Sequence, residues 1–405
     1  MSVITVFNGL FSEAGLVVKR VLDATGYRLV TDQEVVADAA AFSGMAEDKI
    51  ARAFQSKGSV FNSFSHEKER AIAFLKLAMA SKLAAQDNLL FSGFASQLPP
   101  AGIDHILKVC LISRMRERLA VAEQTEGFAE KHALRLIHKD DEDRATWVRT
   151  LRGAQDPWDV KLYDIVVPVG ASGVDKSADL IVEQLANAAV KVTNASRRQV
   201  EDFLLAAKVE TVLAGEGHSV LVSARGGDVT LTINKHVLLL ERLERELTDI
   251  AAGVEGVKSV KTGVGKGFHQ TDIYRKVDFE LPSKVLLVDD EREFAQTLSE
   301  RLMMRDMGSA VVYDGEAALD LVSEDEPEVM VLDLKMPGID GIEVLRRVKK
   351  EHPNIEVIIL TGHGSEKDRE VCMELGAFAY LHKPVDIDVL SETLKAANEK
   401  IHKAK

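Results

Sequence analysis

The sequence has few cysteines and no long apolar run, and each shortage excludes a class of protein. Its two cysteines, Cys110 and Cys372, lie far apart in the sequence, within apolar or helical segments. This argues against a disulfide framework and favours a reducing compartment. No apolar stretch approaches the roughly 20 residues of a spanning helix, and the first residues lack the basic region and cleavage site of a secretory signal. We expect a cytoplasmic protein without membrane insertion.

The chain also lacks an excess of positive charge. Its formal net charge of −13 repels phosphate backbones, so we do not expect nucleic acid among its partners. The apolar fraction of 46% is that of an ordinary globular protein, and 405 residues are enough for two or three domains.

The C-terminal part, residues 283–405, predicts an α/β fold with a five-stranded, doubly wound parallel sheet. Short apolar runs alternate there with amphipathic stretches, so each strand is followed by a crossover helix. The predicted strands are KVLLV, SAVVY, VMVLDL, VIILT and AYL. The boundary lies near Leu281-Pro282-Ser283.

Two further domains are predicted before this boundary. Residues 1–185 alternate between α and β, with strands at SVITVF, NLLFSGF, HILKVCLI and YDIVVPV. Residues 190–280 contain a helix, two strands around a Gly-Gly turn, a helix and a last strand, which predicts a small α+β module.

Reactive side chains follow four of the predicted C-terminal strands. Asp289 and Asp290 follow the first strand, the third stops at Asp333, Thr361 ends the fourth and Lys383 follows the fifth. These side chains are expected to converge, because the carboxyl ends of parallel strands meet at one edge of a sheet. Three crowded carboxylates need a compensating cation, and their hard oxygen ligands suit Mg²⁺.

This arrangement favours phosphoryl transfer. With the charge of the site offset by Mg²⁺, Asp333 can act as a carboxylate nucleophile towards phosphorus. Lys383 would offset charge on the transferred phosphoryl oxygens, and Thr361 would supply a hydroxyl to them.

The C-terminal motifs VDD, VLDLKMPGIDG, TGHG and AYLHKP resemble those of the response-regulator receiver family over about 120 residues. The resemblance implies a flavodoxin-like domain of a two-component phosphorelay. Asp333 would be the phosphoacceptor, and a sensor histidine kinase or a phosphotransfer protein would be the partner. Thr361 and Tyr380 would rearrange on phosphorylation.

The same resemblance implies the metal ligands. Asp290 and Asp333 would ligate Mg²⁺ directly, and Asp289 would contribute mostly through water. Lys335 would add its backbone carbonyl.

The N-terminal part resembles the cytidylate kinase-like family, a branch of the P-loop nucleoside monophosphate kinases. The resemblance rests on VITVF, GYRLVTDQE, HEKERAIAFLKLA before NLLFSGF, and the late DRATWVRTLRG and DPWDVKLYDIVV. It implies a P-loop kinase-like α/β domain over residues 1–185.

The phosphate loop of this domain is predicted to be degenerate. A working loop needs glycines that let backbone N–H groups close around phosphate oxygens. The chain reads FNGLFSEAG instead, with Phe11, Glu13 and Ala14 at positions that call for small or flexible residues. Phe94 stands where the family places an arginine.

Three cationic residues of the later region are candidates for binding a nucleotide or another anion: Arg144, Arg149 and Arg152. The alternative is that they form a solvated helix face.

Residues 190–280 resemble a BON-type module around GDVTLT and a final GV-x-x-V strand. This resemblance implies binding of a ligand or partner without catalytic residues, so we expect a coupling or dimerising element.

Three functions are compatible with these features. In the first, phosphorylation of Asp333 switches the docking or assembly of a kinase-like effector that is not itself an enzyme, and a homodimer is one such assembly. In the second, the receiver gates a nucleoside monophosphate kinase of the cytidylate type. In the third, the chain is a phosphate sink or scaffold.

Overall fold

The computed structural model describes residues 2–57, 59–237, 239–265, 268, 281–362 and 364–404. The chain divides into two compact units. Unit 1 comprises Met1–Gly58, Lys68–Gly215 and Ser219–Tyr274, whereas unit 2 comprises Ser59–Glu67, Glu216–His218 and Arg275–Lys405.

Strands and helices alternate along most of the chain. The strands are β1 (Val3–Asn8), β2 (Arg28–Thr31), β3 (Leu89–Ser92), β4 (Ile106–Ile112), β5 (Ile165–Pro168), β6 (Leu221–Arg225), β7 (Asp228–Ile233), β8 (Ser259–Val264), β9 (Val285–Val288), β10 (Ser309–Val312), β11 (Val329–Leu332), β12 (Glu356–Thr361) and β13 (Ala379–His382). The α-helices are α1 (Ala14–Thr25), α2 (Asp32–Ser43), α3 (Glu47–Ala51), α4 (Asn62–Ser65), α5 (Glu67–Ala85), α6 (Met115–Glu126), α7 (Glu130–Arg152), α8 (Val169–Ser172), α9 (Val174–Gln184), α10 (Asn194–Gly215), α11 (Leu240–Ala252), α12 (Arg292–Met303), α13 (Gly315–Glu324), α14 (Gly341–Glu351), α15 (Glu366–Glu374) and α16 (Ile387–Ala404).

Unit 1 is built around a parallel sheet in the order β2-β3-β1-β4-β5. Side chains of the central strand β1 alternate between two buried layers. Val3 and Phe7 belong to one hydrophobic cluster, whereas Ile4 and Val6 belong to another. A strand that is buried on both faces needs apolar residues at consecutive positions, which explains the run VITVF.

The small α+β module of unit 1 contains a second sheet, in which β7 pairs antiparallel with β6 and parallel with β8. The β6–β7 turn is Gly226-Gly227, with φ values of 60° and 98°. Glycine tolerates positive φ at both central positions of such a hairpin turn. Leu231 and Leu247 lie in the apolar cluster of this module.

Unit 2 contains a parallel sheet in the order β10-β9-β11-β12-β13. Its central strands are buried on both faces: Leu286 and Val288 lie in one hydrophobic cluster, whereas Val285 and Leu287 lie in the other. The first strand of the unit is therefore second in spatial order, which is the arrangement of a doubly wound sheet. The predicted α/β class and the five-stranded parallel sheet are confirmed.

Unit 2 also includes the segment Ser59–Glu67, which lies far from the other strands of the unit in sequence. Phe61 is 0% exposed and belongs to the same cluster as Leu286. The Val60 N–H donates to Asp325 Oδ2 at 2.9 Å, and Lys284 forms ion pairs with Glu67 and Asp325. The sequence patterns gave no indication of this packing.

Strand β2 was not among the predicted strands. It is a four-residue edge strand in which one residue, Val30, is buried, so it lacks the apolar run that identifies the central strands.

No helix in the described part of the chain is long and apolar enough to cross a membrane.

Candidate functional site

The candidate site lies at the carboxyl edge of the sheet of unit 2. Leu332 of β11 pairs with Val288 of β9, so the residues that follow these strands, Asp333 and Asp289, are neighbours. His382 pairs with Thr361, which brings the following residue, Lys383, to the same edge.

Lys383 links the carboxylates of this edge. Its Nζ lies 2.7 Å from Asp289 Oδ2, 2.8 Å from Asp333 Oδ2 and 3.1 Å from Glu291 Oε1. Asp289 and Asp333 are each only 5% exposed. Glu291 was missed by sequence analysis, because no strand-end pattern marks it.

Backbone groups hold the two buried carboxylates in place. The Glu291 N–H donates to Asp289 Oδ1 at 3.0 Å, and the Lys335 N–H donates to Asp333 Oδ1 at 3.3 Å. A side chain at Gly341 would overlap the Asp333 carbonyl oxygen, so the glycine of the PGIDG motif permits this close approach.

The protonation equilibria of this site reflect both burial and pairing. Burial raises the pKa of Asp289 above its ordinary value, and the hydrogen bond from Lys383 opposes that shift. Burial by itself would lower the pKa of Lys383, but its hydrogen bonds to Asp289 and Asp333 raise it instead. Lys383 therefore stays charged at neutral pH.

The carboxylates fit a divalent cation. Asp289, Asp290 and Asp333 each offer an oxygen, and these atoms all lie within 4.8 Å of one another. Mg²⁺ prefers such a set of hard oxygen ligands. The predicted contribution of the Lys335 backbone carbonyl stays a prediction.

Thr361 and Tyr380 lie beside each other next to this edge. Thr361 is fully buried, and a side chain at Gly364 would overlap the Tyr380 hydroxyl and approach Thr361 Cγ2 to 2.9 Å. Within the described residues, the buried Tyr380 hydroxyl has no hydrogen-bond partner. The ring therefore lies over Gly364 without a polar contact that would lock it there.

In unit 1, the loop between β1 and α1 occupies the place of the predicted degenerate phosphate loop. Phe11 and Glu13 both adopt left-handed backbone conformations, with φ values of 57° and 58°. The Leu10 N–H donates to Asp140 Oδ2 at 2.9 Å.

Arg144, one of the three predicted anion ligands, is only 6% exposed. Its Nε donates to Asp140 Oδ2 at 2.7 Å, and its guanidinium lies 4.4 Å from the centre of the Phe94 ring. Phe94 thus packs against an arginine of another element.

The other two predicted anion ligands, Arg149 and Arg152, donate hydrogen bonds to a side chain and to backbone carbonyls of the chain, respectively. Arg149 is exposed and donates to Thr146 Oγ1 at 3.2 Å. Arg152 donates to the carbonyls of Gln97 and Pro99. Their predicted anion-binding role stays a prediction.

Family models match both the N-terminal and the C-terminal part of the chain. Residues 285–395 match the response regulator receiver domain, and residues 3–171 match the cytidylate kinase-like family.

Curated relatives resemble the C-terminal part. Over 120 residues the chain is 41% identical to the transcriptional regulatory protein CpxR of Escherichia coli strain K12 and to that of Shigella flexneri. Each match covers 30% of this chain and 51% of the relative, so the chain spans about half the length of the curated relatives it matches.

Similar solved structures include receiver domains from two other organisms. The CheY-like receiver domain protein from Methanospirillum hungatei JF-1 is 24% identical, covers 30% of this chain and 97% of its own, and has a TM-score of 0.29. The receiver domain of the Francisella response regulator 1452 is 32% identical, covers 29% of this chain and 98% of its own, and has a TM-score of 0.28.

The strand-end motifs and the family matches lead to one assignment: the chain carries the receiver domain of a two-component response regulator at residues 285–395 and a domain of the cytidylate kinase-like family at residues 3–171.

Proposed function

We propose that Mg²⁺-dependent transfer of a phosphoryl group to Asp333 switches the docking or assembly of the kinase-like domain. The observation that carries this proposal is the convergence of Asp289 and Asp333, each of which places a carboxylate oxygen within 2.8 Å of Lys383 Nζ. A buried acceptor next to a fixed cation suits an acyl phosphate, whose charge needs a counter-charge.

In the proposed reaction, an Asp333 carboxylate oxygen attacks the phosphorus of a phosphohistidine on a sensor histidine kinase or a phosphotransfer protein. The new P–O bond forms as the P–N bond breaks, and the donor imidazole, protonated on its other ring nitrogen, leaves as a neutral ring with the electron pair of that bond. Lys383 exchanges its contact with Asp333 Oδ2 for a phosphoryl oxygen. Asp290, Asp333 and the Lys335 carbonyl would hold Mg²⁺ directly and Asp289 would hold it mostly through water, and the bound ion would neutralise charge on the phosphoryl group.

The switch involves the neighbouring pair Thr361 and Tyr380. The Thr361 hydroxyl moves towards the new phosphoryl oxygens, which frees space at the strand end. Because the Tyr380 hydroxyl has no partner among the described residues, the ring can shift without breaking a hydrogen bond.

The test is labelling of the full chain by a small phosphodonor such as radiolabelled acetyl phosphate in the presence of Mg²⁺. We expect Asp333→Asn to abolish labelling, because an amide is not a nucleophile towards phosphorus, and we expect chelation of Mg²⁺ to do the same. Asp320→Asn is the matched control, since it removes an exposed carboxylate of α13. Labelling that survives in Asp333→Asn would refute the proposal.

A receiver-gated nucleoside monophosphate kinase is the alternative function, and the match of residues 3–171 to the cytidylate kinase-like family favours it. Turnover of ATP and CMP by the full chain, measured with and without the phosphodonor, separates the two. Turnover that depends on phosphorylation would establish the kinase.

A further inference from the structure

In the kinase-like domain, the Asp140 carboxylate lies between two hydrogen-bond donors of the kinds that commonly bind anions, a backbone N–H and a guanidinium. Asp140 Oδ2 accepts hydrogen bonds from the Leu10 N–H at 2.9 Å and from Arg144 Nε at 2.7 Å. Leu10 belongs to the loop between β1 and α1, and backbone N–H groups before a helix combined with a guanidinium are typical donors to phosphate. The ligand here is a side chain of α7.

The adjacent residue of α7 neutralises a second arginine at the same loop. Asp141 accepts two parallel hydrogen bonds from Arg118, at 2.8 and 2.9 Å. Arg118 Nε also donates to the Leu10 carbonyl at 2.7 Å, and a Cβ at Gly9 would lie 2.9 Å from Arg118 Nη2. This guanidinium therefore lies directly against the loop while its charge is already paired.

A third observation indicates that this site has more hydrogen-bond donors than the Asp140 carboxylate uses. Arg144 is 94% buried, yet its Nη1 has no hydrogen-bond partner within the described residues. A buried guanidinium N–H without an acceptor is costly, so an anion with more oxygens than Asp140 would find a donor there.

We propose that Asp140 and Asp141 are internal anions that occupy a phosphate-type site, so the kinase-like domain binds nucleotide phosphate only weakly while they are in place. The loop strengthens this exclusion, because Glu13 adds a carboxylate to it and Phe11 replaces a flexible residue. The domain then works as a docking element. This inference does not depend on phosphorylation of Asp333.

The experiment is calorimetric titration of the full chain with inorganic pyrophosphate and with ATP. Asp140→Ala removes the internal carboxylate and keeps a good helix former. We expect Asp140→Ala to bind pyrophosphate about tenfold more tightly than the unmodified chain, because the Leu10 N–H and Arg144 are then available. Glu142→Ala is the matched control on α7: it removes an exposed carboxylate and should leave affinity unchanged.

Further variants connect the gain to the proposed donors. Asp140→Ala combined with Arg144→Met should lose the gain, and each titration repeated with Asp333→Asn excludes a contribution from the receiver site. If Asp140→Ala does not fold, Asp140→Asn keeps the side-chain shape, removes the charge and should show the same direction of change. Tight binding of ATP or pyrophosphate by the unmodified chain, or a folded Asp140 variant without a gain, would overturn the proposal.

Discussion

At the scale of single residues, Lys383 balances a crowded group of carboxylates. It contacts Asp289, Asp333 and Glu291 within 3.1 Å, while Asp290 offers a further oxygen within the same small volume. One ammonium cannot neutralise this group fully, and the remaining repulsion favours a divalent cation.

Lys383→Met should therefore make the protein more dependent on Mg²⁺. Without the ammonium the carboxylates repel one another more strongly, so the stabilisation that Mg²⁺ provides by binding the native state should increase by about 1–2 kcal/mol. Thermal unfolding with Mg²⁺ and with a chelator measures this difference. Lys350→Met, which removes an exposed lysine of α14, should leave the Mg²⁺ effect unchanged. An equal Mg²⁺ effect in Lys383→Met and the unmodified chain would contradict the expectation.

Residue types and strand ends were enough to predict the convergence of Asp289, Asp333 and Lys383, since the parallel register fixes which residues become neighbours. Glu291 and Arg118 could not be predicted in the same way. Each is one of many charged residues in helical or loop segments, and only the folded chain shows which acidic or basic group it contacts.

At the scale of elements, the segment Ser59–Glu67 shows how a short stretch can join a unit that is distant in sequence. Phe61 supplies a completely buried ring to the apolar cluster that contains Val288, and α4 follows it directly. The ring packs against apolar side chains of unit 2 and is completely buried among them, so it is part of that core.

Phe61→Ala should destabilise unit 2 by about 3–5 kcal/mol, because it removes a buried ring and leaves a cavity. Urea unfolding followed by circular dichroism measures the loss. Phe42→Ala is the matched control: Phe42 is 50% exposed, so its removal should change the free energy of unfolding by less than about 1 kcal/mol. Equal effects of the two substitutions would show that Phe61 is not part of this core.

The central strands were predictable, whereas the edge strand β2 was not, for a physical reason. Strands such as β1 and β9 are buried on both faces and therefore read as apolar runs. Strand β2 buries one residue of four, so its sequence resembles that of a loop.

At the scale of the whole molecule, the chain combines a receiver domain with a domain of the cytidylate kinase-like family, and its net charge is −13. The proposed output is a change in protein docking or assembly, which this negative charge does not oppose in the way that it opposes DNA binding.

Phosphorylation should change the assembly of the full chain. We expect treatment with acetyl phosphate and Mg²⁺ to shift the molar mass measured by size exclusion with light scattering, because the rearranged face near Tyr380 offers a different surface. The Asp333→Asn variant, treated identically, should show no shift. Identical profiles for labelled and unlabelled protein would favour the phosphate sink or scaffold.

The sequence by itself determined the alternation of strands and helices, the doubly wound sheet of unit 2 and the set of strand-end residues around Asp333, because burial periodicity is a local property of the sequence and strands joined by crossover helices run parallel. Only the tertiary structure showed that Phe61 belongs to unit 2, that Asp140 accepts a hydrogen bond from the Leu10 N–H of the β1–α1 loop, and that Asp141 pairs with Arg118, which contacts the same loop. Those contacts join residues that lie more than 100 positions apart or on different helices, so packing and charge pairing in the folded chain decide them.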